Sequence, residues 1–196
     1  MDETSLSLLG RASQPNADSS WNQLAEVYSP LLRRWLRSYD VQPADADDLI
    51  QEVLTVVSQE LPAFDHNQRT GAFRNWLRKI LVNRLRGYWR DRRMGPTVSG
   101  GSSALERINQ LEDANSEISR IWNDEHDREV VSRLMAIMQP KFLPKTWEAF
   151  HRQMFQGQRA DQVAEELEMP LGSVYVARCR VLAALRREAA GLIDLE

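Results

Sequence analysis

The chain has 196 residues, of which 42% are hydrophobic and 27% are charged. These fractions are ordinary for a soluble globular protein and exclude a wholly disordered chain. The single cysteine, Cys179, excludes an intramolecular disulfide and a zinc site built on cysteines. No apolar run approaches the length of a transmembrane helix, and no signal-peptide pattern opens the chain. We therefore expect a cytoplasmic protein without membrane insertion.

The net charge of −3 conceals a strong alternation of charge along the chain. Residues 41–66 carry six acidic residues and no Lys or Arg, whereas residues 69–93 carry nine Lys or Arg and one Asp. Residues 94–139 are acidic again, with eight acidic and four basic residues. This pattern is typical of a protein that meets a polyanion on selected faces only.

Residues 1–19 are polar and aperiodic, which predicts a loose tail. Ser20 and Gln23 have the spacing of a capping box, and apolar residues then recur at helical intervals as far as Tyr39. Pro30 interrupts this pattern, so we expect it to kink the helix or to mark its true start. A second helix is predicted to begin near residues 43–45 and to stop before Pro62.

The third predicted helix is amphipathic and strongly basic. Its apolar positions are Phe73, Leu77, Ile80, Leu81, Leu85 and Tyr88. Residues 94–104 are rich in Gly and Ser, which predicts a flexible linker. Acidic helical stretches follow, and the last part of the chain, 159–188, is predicted to form two helices separated by a turn at residues 168–170.

The spacing of the last two helices favours a helix-turn-helix. Val163 and Leu167 form the apolar face of the first helix, and Ala164 permits close approach of the second. The apolar face of the second helix holds Val174, Ala177, Val181 and Leu185. An ordinary helical hairpin remains the alternative, because the turn has Glu168 where a glycine would tolerate a left-handed backbone.

Enzymatic motifs are absent from the sequence: there is no phosphate-binding Gly loop, no G-x-S-x-G and no H-E-x-x-H. His66, His126 and His151 are scattered, and we expect each of them to be a surface residue. We expect no catalytic residue, no metal site and no cofactor.

Three segments together resemble a known family. They are ADADDLIQEVLTVV at 44–57, GAFRNWLRKILVNRLRGYWRDRR at 71–93 and GQRADQVAEELEMPLGSVYVARCRVLAALRRE at 157–188. In this order they resemble the polymerase-binding helix, the promoter-melting helix and the helix-turn-helix of sigma-70 family factors of bacterial RNA polymerase. The short chain resembles their extracytoplasmic-function (ECF) class.

The resemblance implies an all-α fold of two small helical domains joined by a flexible linker. Residues 1–19 would be the tail, 20–93 a bundle similar to sigma region 2, 94–117 the linker, and 118–196 a helix-turn-helix domain similar to sigma region 4. It also implies that core RNA polymerase and promoter DNA are partners, and it allows for an anti-sigma factor as a third.

Site residues follow from the matched segments. The polymerase-binding residues are predicted to be Asp48, Gln51 and Glu52, which share one helix face. Contacts to the downstream promoter element are predicted for Asn75, Lys79, Asn83, Arg86 and Arg90, and the loop 64–70 is predicted to capture a flipped base. Contacts to the upstream element are predicted for Ser173, Tyr175, Arg178, Cys179 and Arg180.

Two other functions stay open at this point. The chain could be a stand-alone DNA-binding regulator that uses only its helix-turn-helix, or an adaptor that binds polymerase without DNA. The basic segment 69–93 favours the sigma factor over the regulator, because a repressor would need a dimerisation or ligand-binding domain there. The Arg-rich second helix of the helix-turn-helix makes the adaptor the least favoured.

Overall fold

A computed structural model of the chain describes residues 7–14, 17–64, 71–93 and 101–193. The described chain is α-helical, as predicted, and its only β-type pairing is a single bridge between Ala190 and Ile193. The helices are α1 Leu8–Ala12, α2 Asp18–Ser38, α3 Pro43–Glu60, α4 Ala72–Arg93, α5 Gly101–Glu112, α6 Glu117–Met138, α7 Pro144–Phe155, α8 Ala160–Glu166 and α9 Leu171–Ala189. Short 3₁₀ turns follow α3 and α6.

The N-terminal region differs from its prediction in two respects. Part of the tail that was expected to be loose forms α1, whose Leu8 and Leu9 are buried. The capping box predicted at Ser20 and Gln23 is wrong, because α2 already begins at Asp18 and Ser20 is buried in its first turn. The Ser20 hydroxyl instead accepts a hydrogen bond from Nε of Arg11, at 3.4 Å.

Helices α2, α3 and α4 pack together as the predicted three-helix bundle. Helix α2 runs through Pro30, so Pro30 does not mark its start. Burial of Val27, Leu31 and Leu32 on either side of the proline stabilises this continuous helix despite the missing backbone donor. Helix α3 has the predicted bounds, from Pro43 to the residue before the 3₁₀ turn that contains Pro62.

The hydrophobic core continues from this bundle into the following helices. Helix α5 lies within the segment 94–117 that was predicted to be a linker, and it buries Ala104, Ile108 and Leu111. Trp122 on α6 is fully buried in the same cluster as Trp35 on α2. Residues 94–100 of the predicted flexible linker lie outside the described residues, and the division into two domains stays a prediction.

The C-terminal helices form two smaller apolar clusters. Met138, Trp147, Phe150 and Val181 join α6, α7 and α9, while Ala149, Val163, Val174 and Ala177 join α7, α8 and α9. The predicted apolar faces of the last two helices are confirmed by this packing, with Ala164 and Leu167 half-buried at their contact. In the described part of the chain, no helix is both long enough and apolar enough to cross a bilayer.

Candidate nucleic-acid interface

The acidic face predicted on α3 is formed as expected. Asp48, Gln51 and Glu52 are all exposed, while Leu49 and Ile50 between them are buried against the bundle. Glu52 lies 3.8 Å from the Nη1 atom of Arg84 on α4, a distance at which an exposed pair contributes little to stability. The carboxylates of this face are therefore available to a cationic partner.

The five residues predicted on α4 are not equally accessible. Lys79, Asn83 and Arg90 are exposed along one side of the helix, whereas Asn75 and Arg86 are half-buried. Arg86 is held by α5: it donates to Oε1 of Glu112 and to Oδ1 of Asn109, both at 2.9 Å. The hydrogen bond with Glu112 raises the pKa of Arg86 and lowers that of Glu112. Sequence reasoning placed Arg86 on the open face and did not foresee this contact.

A basic cleft between α3 and α4 adds residues that the sequence did not single out. Arg84 and Arg92 line it together with Arg86, Asn83 and Arg90. Arg92 donates to Asp45 at 2.7 Å and lies over the ring of Tyr88, 4.7 Å from its centroid. The signal in the sequence was the spacing of Tyr88 and Arg92, which places a cation one helical turn from an aromatic ring.

The two tryptophans of α4 occupy different environments. Trp89 is buried in the core, whereas Trp76 is half-buried and stacks on Phe64, with 4.6 Å between ring centroids. Phe64 is the first residue of the loop predicted to capture a flipped base. The remainder of that loop, residues 65–70, lies outside the described residues.

The helix-turn-helix is formed by α8 and α9. Its turn contains Glu168 with φ of 51°, so this glutamate adopts the left-handed backbone for which a glycine was expected. The Met169 amide donates to the carbonyl of Ala164 at 2.9 Å and closes the turn. On α9, Ser173, Tyr175, Cys179 and Arg180 are exposed and Arg178 is half-buried. These five residues form the reading face of α9, which is thus largely exposed to solvent. Its role in contacting the upstream element stays a prediction.

A buried polar network joins three helices and was missed by sequence reasoning. His126 on α6 is fully buried, so the expectation of a surface histidine is wrong. Its Nε2 lies 3.1 Å from the hydroxyl of Tyr28, and its Nδ1 lies 2.8 Å from Oδ1 of Asp127. Asp127 in turn accepts from Nη1 of Arg74 on α4, at 2.6 and 2.7 Å. The network therefore connects α2, α4 and α6.

The network shifts the protonation of its members. Burial raises the pKa of Tyr28 well above its ordinary value, with the Asp127 charge acting in the same direction. Burial alone would raise the pKa of Asp127 as well. Hydrogen bonds from His126 and Arg74 outweigh that effect and lower the pKa below its ordinary value of 3.8. Ionised Asp127 consequently stabilises the folded chain.

We expect Asp127→Asn to lower the free energy of unfolding by about 1 kcal/mol near pH 7, because a half-exposed charged hydrogen bond is lost. The pKa of Asp127 is lower in the folded chain than in the unfolded chain. Its contribution to the free energy of unfolding is therefore complete above the unfolded-state pKa and disappears as the pH falls through the folded-state pKa. Urea unfolding of the wild type and of Asp127→Asn, measured from pH 7 downward, should give free energies of unfolding that converge below pH 4.

The exposed Asp124 supplies the control, since Asp124→Asn removes the same charge from the same helix. A difference between wild type and Asp127→Asn that stays constant across the pH range would contradict the assigned network.

Comparison with known proteins relates these surfaces to a family. The profile described as Sigma-70 region 2 matches residues 24–94, which include most of α2 and the whole of α3 and α4. The RNA polymerase sigma factor CnrH of Cupriavidus metallidurans is 28% identical over 117 residues, which are 59% of this chain and 56% of that protein. Residues 24–94 of the chain are thus similar to region 2 of sigma-70 factors, and the matched segment spans only about half the length of this curated relative. No solved structure matches the chain significantly.

The region 2 match includes both the acidic face of α3 and the basic face of α4. The helix-turn-helix of α8 and α9 lies outside the residues of that match. In the described part of the chain, no group of three His, Cys, Asp or Glu residues is arranged to hold a metal ion.

Proposed function

We propose that the chain binds core RNA polymerase and directs it to promoters, where it assists strand opening and initiation. The observation that carries this proposal is the pairing of two opposite surfaces inside the sigma-70 region 2 match. An exposed acidic face on α3 lies next to an exposed basic face on α4. A protein that must hold both a basic protein surface and a polyanion needs such a division of charge.

Different surfaces of the chain bind the polymerase and the DNA. Asp48, Gln51 and Glu52 meet a basic surface of the polymerase. Lys79 and Arg90 contact phosphates of the downstream promoter element, and the side-chain amide of Asn83 both donates to and accepts from an unpaired base. Asn75 and Arg86 extend the same face toward α5. Because these partners are in the cytoplasm of a bacterial cell, the chain acts there.

The helix-turn-helix supplies contacts to the upstream element. The exposed side of α9 presents Ser173, Tyr175, Cys179 and Arg180 beside Arg178. These residues lie in the N-terminal half of the helix, next to the turn. A helix of this kind enters the major groove with its N-terminal residues against the bases. Tyr175 and Cys179 are one turn apart and share the groove side, whereas Arg180 is rotated toward the backbone.

Transcription with purified core polymerase on genomic fragments tests the proposal. We expect defined start sites only when the chain and the core enzyme are both present. If the chain alone binds one sequence tightly and core polymerase initiates no transcription with it, the chain is instead a stand-alone helix-turn-helix regulator. The open reading face of α9 is the observation that favours this second function.

We expect Arg178→Ala to weaken promoter binding by about 1–3 kcal/mol, with the loss concentrated at one base pair if the guanidinium reads a guanine. A panel of single-base promoter variants, measured with core enzyme, gives this pattern directly. Arg186→Ala is the matched control, because Arg186 is an exposed cation in the last turn of the same helix. An equal loss on every variant would reveal a phosphate contact, and no loss on any variant would contradict the assignment of α9 as the reader.

A further inference from the structure

The first two turns of α9 carry an apolar side chain that is left uncovered in the described part of the chain. Val176 is 47% exposed, and it belongs to none of the apolar clusters that join α9 to α6, α7 and α8. The buried face of the helix is formed instead by Val174, Ala177 and Val181. Sequence analysis assigned no role to Val176, because it belongs neither to that face nor to the polar residues beside it.

An exposed valine does not stabilise a helix. Its β-branched side chain loses rotamer freedom against the preceding turn, and valine ranks below alanine, leucine and arginine as a helix former. Burial of apolar area would offset this cost. Val176 therefore gains burial only when a second molecule covers this part of α9.

The surroundings of Val176 leave room for close approach. Gly172, one turn before it, is exposed, and a Cβ atom added there would meet nothing within 4 Å. Ser173 in the same turn is also small and exposed. Side chains of an α-helix lean toward its N-terminus, so Val176 lies over this turn of small residues. A partner can thus reach its methyl groups without displacing a long side chain.

Cations flank Val176 on both sides. At about 100° per residue, Val176 lies between Cys179 and Arg180 around the helix, within the exposed arc that carries the reading face. Arg180 is exposed and Arg178 is half-buried, and neither makes an ion pair within the described residues. An apolar group between unpaired guanidinium groups is complementary to a polyanion that also presents an apolar group. This charge complementarity favours duplex DNA as the molecule that covers Val176.

We propose that Val176 contacts the C5-methyl group of a thymine in the major groove of the upstream element. That methyl is the apolar group which an A·T pair presents in this groove, and a valine side chain has no donor or acceptor for the other base edges. The inference rests on the proposed function, because it takes α9 to be the helix that reads DNA. It adds a residue that selects an A·T pair through an apolar contact.

Deoxyuridine substitution tests this contact, because deoxyuridine differs from thymidine only by the missing methyl group. Each thymine of a mapped upstream element is replaced in turn, and binding of the chain with core polymerase is measured. We expect one position at which the wild type binds about three- to fivefold more weakly without the methyl, the loss that corresponds to one buried methyl group. Val176→Ala lacks both γ-methyl groups and should bind the two promoters nearly equally.

Val131→Ala is the matched control, because Val131 is an exposed valine on α6. It undergoes the same chemical change outside α9, and we expect it to keep the three- to fivefold ratio between the two promoters. Far-UV circular dichroism of Val176→Ala should match that of the wild type, since the side chain is exposed and alanine is the better helix former.

The outcomes separate this inference from the proposed function. If promoters are bound but no methyl group matters to the wild type, or if the loss persists in Val176→Ala, the thymine contact is contradicted while the proposed function stands. If Val176→Ala weakens binding to core polymerase in the absence of DNA, a protein surface covers Val176 and the contact is again contradicted. If the chain and core enzyme give no defined start site, the proposed function fails and the thymine contact fails with it.

Discussion

Replacing Trp122 by Ala should lower the free energy of unfolding by about 3–5 kcal/mol, the range for truncating a fully buried large aromatic side chain. Trp122 is completely buried on α6, and its ring meets that of Trp35 on α2 edge-to-face at 5.0 Å between centroids. The substitution would leave a cavity where α6 joins the N-terminal bundle. Urea unfolding followed by far-UV circular dichroism gives the change.

Trp122→Phe is the matched control. It keeps an aromatic ring in the cluster and removes an indole N–H that is buried without a hydrogen-bond partner in the described residues. The smaller volume is thus partly offset by loss of an unsatisfied donor, and we expect a much smaller loss than for Ala. A loss below about 1 kcal/mol for Trp122→Ala would contradict the packing of α6 on α2.

Reversing the charges of Asp48 and Glu52 to Lys should weaken binding to core polymerase by at least about 100-fold. Two favourable contacts to a basic surface become repulsive, and like charges brought together at an interface cost several kcal/mol. Both side chains are exposed, so the fold should be unchanged in far-UV circular dichroism. Fluorescence anisotropy of the labelled chain, titrated with core enzyme, measures the affinity.

A double reversal elsewhere controls for net charge. Glu117→Lys with Asp124→Lys changes the charge by the same amount at two exposed positions of α6. We expect this variant to bind core polymerase nearly as well as the wild type. Equal affinities for both double variants would mean that α3 does not dock on the polymerase.

Much of the local structure could be predicted because it depends on neighbours within one or two helical turns. Period-3.6 spacing predicted the two buried faces of the helix-turn-helix and the exposed side of α3 that carries Asp48, Gln51 and Glu52. The bounds of α3 were predicted from the residues at its two ends, Pro43 and Pro62. The position of the left-handed residue in the turn was also identified, although Glu168 occupies it instead of glycine. The segment between α8 and α9 is short, so the backbone has few other conformations that make the turn.

The main errors concern side chains whose partners come from another helix. His126 was expected at the surface because an isolated polar residue on a helix usually is, yet it meets Tyr28, which lies 98 residues away. Arg86 was expected on an open face, and Glu112 from another helix holds it. Ser20 was expected to cap α2, whereas Arg11 and the packing of α1 draw it into the interior.

The sequence by itself thus determined most of the helices after α1, their apolar faces, the alternation of acidic and basic surfaces, and the resemblance to the sigma-70 family. Only the tertiary structure decided which charged residues remain open to a partner and which are held within the chain. The physical reason is that helix periodicity is a local property, whereas burial of a polar side chain depends on a matching group supplied by a distant segment. Arg86 shows this most clearly, because Asn109 and Glu112 of α5 hold its guanidinium.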